Sequence, residues 1–321
     1  FRDKKIIGLW INSGNLKKPG IRGTIAFLFQ YLIQYFIKLK WKKLYKCLGV
    51  YETIELSNDF KDSVFIRNTN FIKKYSKVKN KKDILKIKFK GIKVGDLIYD
   101  HYLRYNGEPS FNIQDTYTIK RLLNMFEGSN ENLENFYFKN KAKIDYYIPQ
   151  KAIYLNGFAI RFFLNKNIKT VGGREYIKYV KKFSKIDYLE GSKNEDSAKK
   201  FKKLKNKKKK IKLAIKFLKE KFDGKINREF RDMKKSPYDK KKFFKINKKF
   251  DVIIFLPDFS DAPHCYGNFV FSDFSDWINE TLEFLKLKNL SVAVKEHPHS
   301  WVFSSLQFTD TLKKKYSNLI W

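Results

Sequence analysis

Two short polar stretches hold the side chains best suited to chemistry. Asp258–Phe259–Ser260–Asp261–Ala262–Pro263–His264 (DFSDAPH) follows the apolar run Val252–Leu256. Lys295–Glu296–His297–Pro298–His299 (KEHPH) follows the apolar Ser291–Val294. Together they contain three of the four histidines, the fourth being His101. An imidazole N–H can donate to a phosphate oxygen, and a phosphate in turn favours the protonated ring. Pro298 restricts His297 to extended backbone angles and removes the next ladder donor, so a strand must stop there and hold the ring with little freedom. Lys295 adds positive charge nearby. A lone His-Pro pair also suits a strand end capped on a backbone carbonyl. DFSDAPH at a neighbouring strand end shifts the reading towards a ligand.

Other devices for the same chemistry are missing from the sequence. There is no GxGxxG and no GxxxxGK[ST], and Gly172–Gly173 lacks the spacing of either. No His/Cys/Asp cluster has zinc-like spacing, and His-Pro-His makes a poor chelate, so no metal is expected. No GxSxG elbow is present.

The elements that must position these residues are two βαβ patterns. The first runs from Ile144–Ile148 through a helical spacing over Ala152–Lys166 to Ile168–Val171. The second runs from Val252–Leu256 through Phe274–Leu287 to Leu290–Val294. Continuous apolar strands joined by crossover helices mark parallel sheets covered on both faces. In open parallel sheets ligands bind beyond the carboxyl ends of the strands, where DFSDAPH and KEHPH emerge. Between the two units, Ser197–Phe222 is helical in pattern and holds ten Lys among residues 199–212. It suits a solvated linker helix, with an RNA-binding tract as the alternative. Near the start, Gly23–Ile37 is strongly apolar but shorter than the roughly 20 residues that span a bilayer. With Trp41 and the Lys cluster that follows, it reads either as a core helix with a basic end or as an interfacial helix on an anionic membrane.

The composition narrows the function classes. The 321 residues are 43% hydrophobic, with 31 Phe and 19 Tyr, which argues against disorder and allows two domains. The formal net charge of +36 invites a nucleic-acid reading, yet nine Arg stand against sixty Lys. Arg is the side chain whose fork reads phosphate and guanine, so a nucleic-acid specialist would carry more of it. Cys47 and Cys265 form no CxxC pair, which fits a reducing compartment, and no signal peptide is visible. The chain begins at Phe1 and ends at Trp321 after the strand-like Asn318–Ile320, and is read as a fragment.

Several blocks resemble bacterial surface-polysaccharide glycosyltransferases of the broad GT-B type, which include capsule-synthesis transferases, Kdo transferases and sialyltransferases with an HP motif. They are DFSDAPH, Tyr266–Gly267–Asn268, Phe271–Ser272–Asp273 with Trp277, and the terminal Lys295–Pro298. Upstream, Lys90–Tyr105 (KGIKVGDLIYDHYLRY) and Tyr154–Leu155–Asn156–Gly157 with Arg161 fit the same proteins. The resemblance covers roughly residues 85 to 321. It implies two Rossmann-like domains facing a cleft: an acceptor-side α/β domain at 1–190 bearing the 23–46 helix, a Lys-rich connector at 191–248, and an incomplete donor domain from 249. It implies that His297 contacts the nucleotide phosphate of a donor, with a CMP-activated sugar favoured. No acidic-acidic-Gly motif is present, only Gly95–Asp96 and Asp100, which leaves the base open.

The expectation is therefore sugar transfer from a nucleotide sugar to a surface polysaccharide or lipopolysaccharide, with no cofactor or bound metal. His297 and Lys295 are assigned to the donor phosphate. Asp261 and His264 are candidates for donor contact or proton handling. Asp96 and Asp100 are candidate acceptor-side carboxylates, although Gly95–Asp96 also suits a plain turn. Arg104 is expected to bind an anionic acceptor or to orient a carboxylate, and an ordinary ion pair is as good a reading. The expected partners are the nucleotide sugar, a glycan or glycolipid acceptor and an anionic membrane met through the 23–46 helix, with no specific nucleic acid. The expected location is cytoplasmic, peripheral on the inner face of the plasma membrane. The rivals are a nucleotide-sugar epimerase or polyol-phosphate transferase on the same fold, and a basic RNA- or membrane-binding protein without catalysis.

Overall fold

A computed structural model describes residues 6–10, 36, 39–47, 49–55, 66–149, 152–172, 181–182, 198–199, 201–223, 248–265, 267, 269–297 and 305–321. The chain is a mixed α/β protein with small, partly parallel sheets. Strands β1 (Ile6–Trp10) and β2 (Val50–Glu55) pair in parallel. Helices α1 (Asn70–Tyr75) and α2 (Lys81–Leu85) lead into a hairpin of β3 (Lys88–Phe89) and β4 (Ile92–Lys93). Its turn residues Lys90 and Gly91 both have positive φ, as a two-residue hairpin turn matched to strand twist requires.

Three helices build the principal core. Helix α3 (Gly95–Asn106) is buried from Gly95 to Leu103, and Gly107 ends it in the left-handed conformation with its N–H on the Leu103 carbonyl. Asp115 caps α4 (Thr116–Asn140) by accepting from the Thr118 N–H. Helix α5 (Tyr154–Asn165) lies between β5 (Tyr146–Tyr147) and β6 (Lys169–Gly172), which pair in parallel as the first βαβ pattern predicts. The pairing covers only two residues of the expected Ile144–Ile148 strand. Pro149 lacks a ladder donor just beyond β5. β7 (Lys181–Lys182) adds antiparallel to β6.

A glycine lets α5 close both onto its own entry loop and onto α3. A Cβ on Gly157 would stand 2.5 Å from the Ala152 carbonyl oxygen and 2.7 Å from a Leu97 methyl. Leu97, Ile98, Tyr102, Phe126, Phe158 and Phe162 are among the residues that fill the resulting core.

The second βαβ pattern forms as expected. β8 (Val252–Phe255) and β9 (Val292–Lys295) pair in parallel, with Phe255 opposite Lys295, around α7 (Phe274–Leu287). Residue 320 bridges to Ala293, and α8 (Ser305–Lys315) packs Leu312 into the same small core. Ile253 and Phe255 are exposed on the other side of β8. Among the described residues the sheets stay at two or three strands and do not join into one wide sheet. The buried α3 holds the centre of the 66–172 region, where the sequence suggested a larger sheet.

The Lys-rich stretch is one helix in the sequence reading, but it breaks. Residues 203–206 form a turn with Asn206 at φ 57°, and the helix resumes as α6 (Lys207–Phe222). Residues 39–47 are helical with Leu39, Trp41 and Leu44 exposed, and Phe36 is 62% exposed, so the described part of the 23–46 segment is not a core helix. Residues 23–35 lie outside the described residues. No helix among the described residues is long and apolar enough to cross a membrane.

Candidate functional site

Helix α3 places Asp96, Asp100 and Arg104 at intervals of four, so they fall along one stripe of its surface. The DFSDAPH loop leaves the carboxyl end of β8 and lies against that stripe. Nδ1 of His264 and Oδ1 of Asp100 are 2.5 Å apart, with Asp100 buried (3% exposed) and His264 largely so (10%). One turn further, Arg104 Nη1 donates to Asp258 Oδ2 at 3.1 Å. Asp258 in turn accepts from the Ser260 N–H and hydroxyl, which fixes the start of the loop. Tyr154, first residue of α5, donates its hydroxyl to Asp261 at 3.0 Å. It does so from a left-handed backbone (φ 56°), a costly conformation for a non-glycine residue and one that gathers at functional sites.

A second cluster ties α3 to α7. Asp273 caps α7 through the Asp276 N–H, and it is fully buried. Its Oδ2 accepts from Tyr99 at 2.6 Å, Ser110 at 2.7 Å and Lys81 at 3.3 Å. The Tyr99 ring also stands edge-on to His264, with centroids 4.9 Å apart. The KGIKVGDLIYDHYLRY, DFSDAPH and FSD blocks, far apart in sequence, therefore meet in one place.

The electrostatics differ sharply between the two α3 carboxylates. Burial pushes Asp100 up to about 6, against the lowering hydrogen bond and charge of His264. Burial also acts to raise Asp96, but the hydrogen bonds and charge of Arg161 outweigh it and hold that carboxyl below its ordinary value. The Arg161 fork is bidentate, at 2.7 and 2.6 Å. Burial, with the charge of Asp273, keeps Tyr99 protonated far above its ordinary range, and burial with Asp261 does the same for Tyr154. Both phenols are thereby fixed as donors.

His264 is the chemically open member. With Asp100 ionised and the ring neutral, Nδ1 carries the ring proton towards Asp100 and Nε2 presents its lone pair. That Nε2 is buried and makes no hydrogen bond among the described residues. A buried ring nitrogen without a partner is costly and uncommon. A ligand hydroxyl would satisfy it. His101 likewise has a buried Nε2 without a hydrogen bond among the described residues, but aromatic packing surrounds it. Its Nδ1 accepts from the Leu155 N–H at 3.3 Å, its ring stacks on Tyr105, and burial lowers it to about 3. It is a neutral packing residue between α3 and α5.

The sequence-derived candidates thus separate. Asp100 and His264 come together, and Arg104 and Asp261 reach the same loop junction. Asp96 is taken up by Arg161 and Arg104 by Asp258, which leaves the first as an ion pair and the second as an orienting group. His297 stands just past β9, one strand over from the DFSDAPH exit, since Leu256 N–H bonds the Lys295 carbonyl at 2.9 Å. Lys295 itself is exposed and shares a face with Phe255. Glu296 pairs with Lys313 of α8. Pro298 and His299 lie outside the described residues. Sequence reasoning left Asp258, Asp273, Tyr99 and Tyr154 unassigned. Asp273 carried a visible signal, an Asp three residues before another at a helix start. The others show only once α3 and the loop are side by side.

Among the described residues no group of three or more His, Cys, Asp or Glu side chains converges as a metal shell would. Comparison with protein-family models, with curated proteins and with solved structures finds no match.

Proposed function

We propose that the chain is a GT-B-type glycosyltransferase that moves a sugar from a nucleotide sugar, with CMP activation favoured, to a surface polysaccharide or lipopolysaccharide acceptor at the cytoplasmic face of the plasma membrane. One observation carries the reading: the buried Asp100–His264 pair joins α3 to the loop leaving the carboxyl end of a parallel βαβ unit. That edge is where parallel sheets receive ligands.

In this reading His264 Nε2 takes the proton of the acceptor hydroxyl, while Asp100 holds Nδ1–H and stabilises the imidazolium that forms. The acceptor oxygen bonds to the anomeric carbon. The bond from that carbon to the leaving phosphate oxygen breaks, and its electron pair stays on the phosphate. His297, with Lys295, relieves that charge. Asp261, held by Tyr154, is left for donor contact. Asp96 has no part in proton transfer, because Arg161 occupies both of its oxygens.

Thermal stability titrated with CMP, CDP, UDP and GDP tests the donor half. Saturable stabilisation by one nucleotide, lost in His297→Ala, names the class, and silence towards all four overturns the reading. Conversion of the donor sugar with no acceptor present would move the assignment to an epimerase. Incorporation that needs CDP-glycerol would move it to a polyol-phosphate transferase.

A further inference from the structure

Helix α6 is amphipathic and exposed on every side for which burial is described. Ile211, Ala214, Ile215 and Leu218 recur at i, i+3, i+4 and i+7, which aligns them in one apolar stripe. Ile215 and Leu218 are each 48% exposed, and Leu213 and Phe217 are exposed outside the stripe. Eight of the sixteen residues are Lys and one is Glu. Lys212 and Lys219 border the stripe on one side and Lys210 on the other. A helix of this length is marginal in water unless its apolar side is covered.

The charge decides what can cover it. A second copy of the same helix would set eight Lys against eight Lys. An RNA site would use the charge but leave the aliphatic stripe in water, and α6 contains no Arg to read phosphate in forked geometry. An anionic lipid surface satisfies both halves, since the apolar stripe sinks to the acyl boundary while the Lys stems lie along it and keep their ammonium groups among headgroups. At 16 residues α6 is about 24 Å long and lies flat rather than crossing. The geometry points to α6 as an in-plane anchor for an anionic membrane, a role separate from the 23–46 segment and independent of the chemistry at His264.

Flotation of the full chain with vesicles tests this. The chain is expected to float with phosphatidylcholine vesicles containing phosphatidylglycerol, and not with phosphatidylcholine alone. I215Q/L218Q is expected to weaken binding by about tenfold or more. K212Q/K219Q is expected to weaken it by about 30-fold at low salt. L287Q, which changes an exposed leucine on α7, is expected to leave it unchanged. Circular dichroism of each variant checks that the fold is kept. Vesicle binding untouched by I215Q/L218Q would assign the membrane to another segment, such as 39–47, and overturn the proposal. So would salt-sensitive RNA binding in a chain that ignores vesicles, or a concentration-dependent dimer abolished by I215Q/L218Q.

Discussion

At the residue scale, two carboxylates four positions apart on α3 acquire opposite character. Asp100 sits against an imidazole with an unoccupied far nitrogen, whereas Asp96 is clamped by a guanidinium. His264→Ala is expected to lower single-turnover transfer by about a hundredfold or more with the fold intact, and unchanged transfer would remove His264 from the mechanism. Asp96 belongs to stability instead. Arg161→Met leaves a buried carboxylate unpaired and is expected to cost roughly 3–5 kcal/mol in denaturant unfolding. The pH response of Asp100 follows from its direction of shift. Its folded value, about 6, lies above that of the unfolded chain, so the folded state holds the proton more tightly. Its contribution to stability is full below the ordinary carboxylate range and is lost as pH rises through about 6. Asp100→Asn removes this slope, so its stability relative to the parent is expected to rise between pH 4 and 7. Urea midpoints across that range measure the difference, and parallel curves would refute the assignment.

At the scale of elements, α3 is the organising piece, because one helix supplies both the ion pair to α5 and the contacts to the DFSDAPH loop. Its position depends on Gly157, where backbone and a leucine methyl leave no room for a side chain. Gly157→Ala gains some helix propensity but must push α5 away from α3. The overpacking is expected to win, with a net loss of about 1–3 kcal/mol and a lower Tm. The Gly107 stop, the Asp115 and Asp273 caps and the Lys90–Gly91 turn are local chemistry of the kind residue types carry, although the sequence reading named none of them. The break at 203–206 was not legible, since Lys, Leu and Asn all tolerate a helix, and only the left-handed Asn206 ends it.

Across the whole molecule, among the described residues, polar contacts hold the β8–α7–β9 unit to the helical region while the two apolar cores stay separate. Asp273 gathers Tyr99, Ser110 and Lys81, and Arg104 holds Asp258. Tyr99→Phe removes a hydrogen bond to a buried carboxylate, worth about 1.5–3 kcal/mol. Faster amide hydrogen exchange is expected at 258–264 and at the start of α7, with the α4 core unchanged. Uniform exchange throughout the chain would mean that these contacts do not limit separation of the two parts.

Apolar runs and helical spacing were enough to place both βαβ units, because strand and helix periods depend on neighbours in the chain. The sequence offered Asp96 and Asp100 as acceptor-side carboxylates, Asp261 and His264 for donor contact or proton handling, and Arg104 for an acceptor or a carboxylate, and could not say which of them meet. Only the tertiary structure divided them, because burial, the Arg161 clamp and the 2.5 Å contact to His264 depend on residues 65 and 164 positions away. Partner choice among buried charges is a property of packing. Two aspartates on one stripe of one helix can read alike in sequence and differ wholly in chemistry.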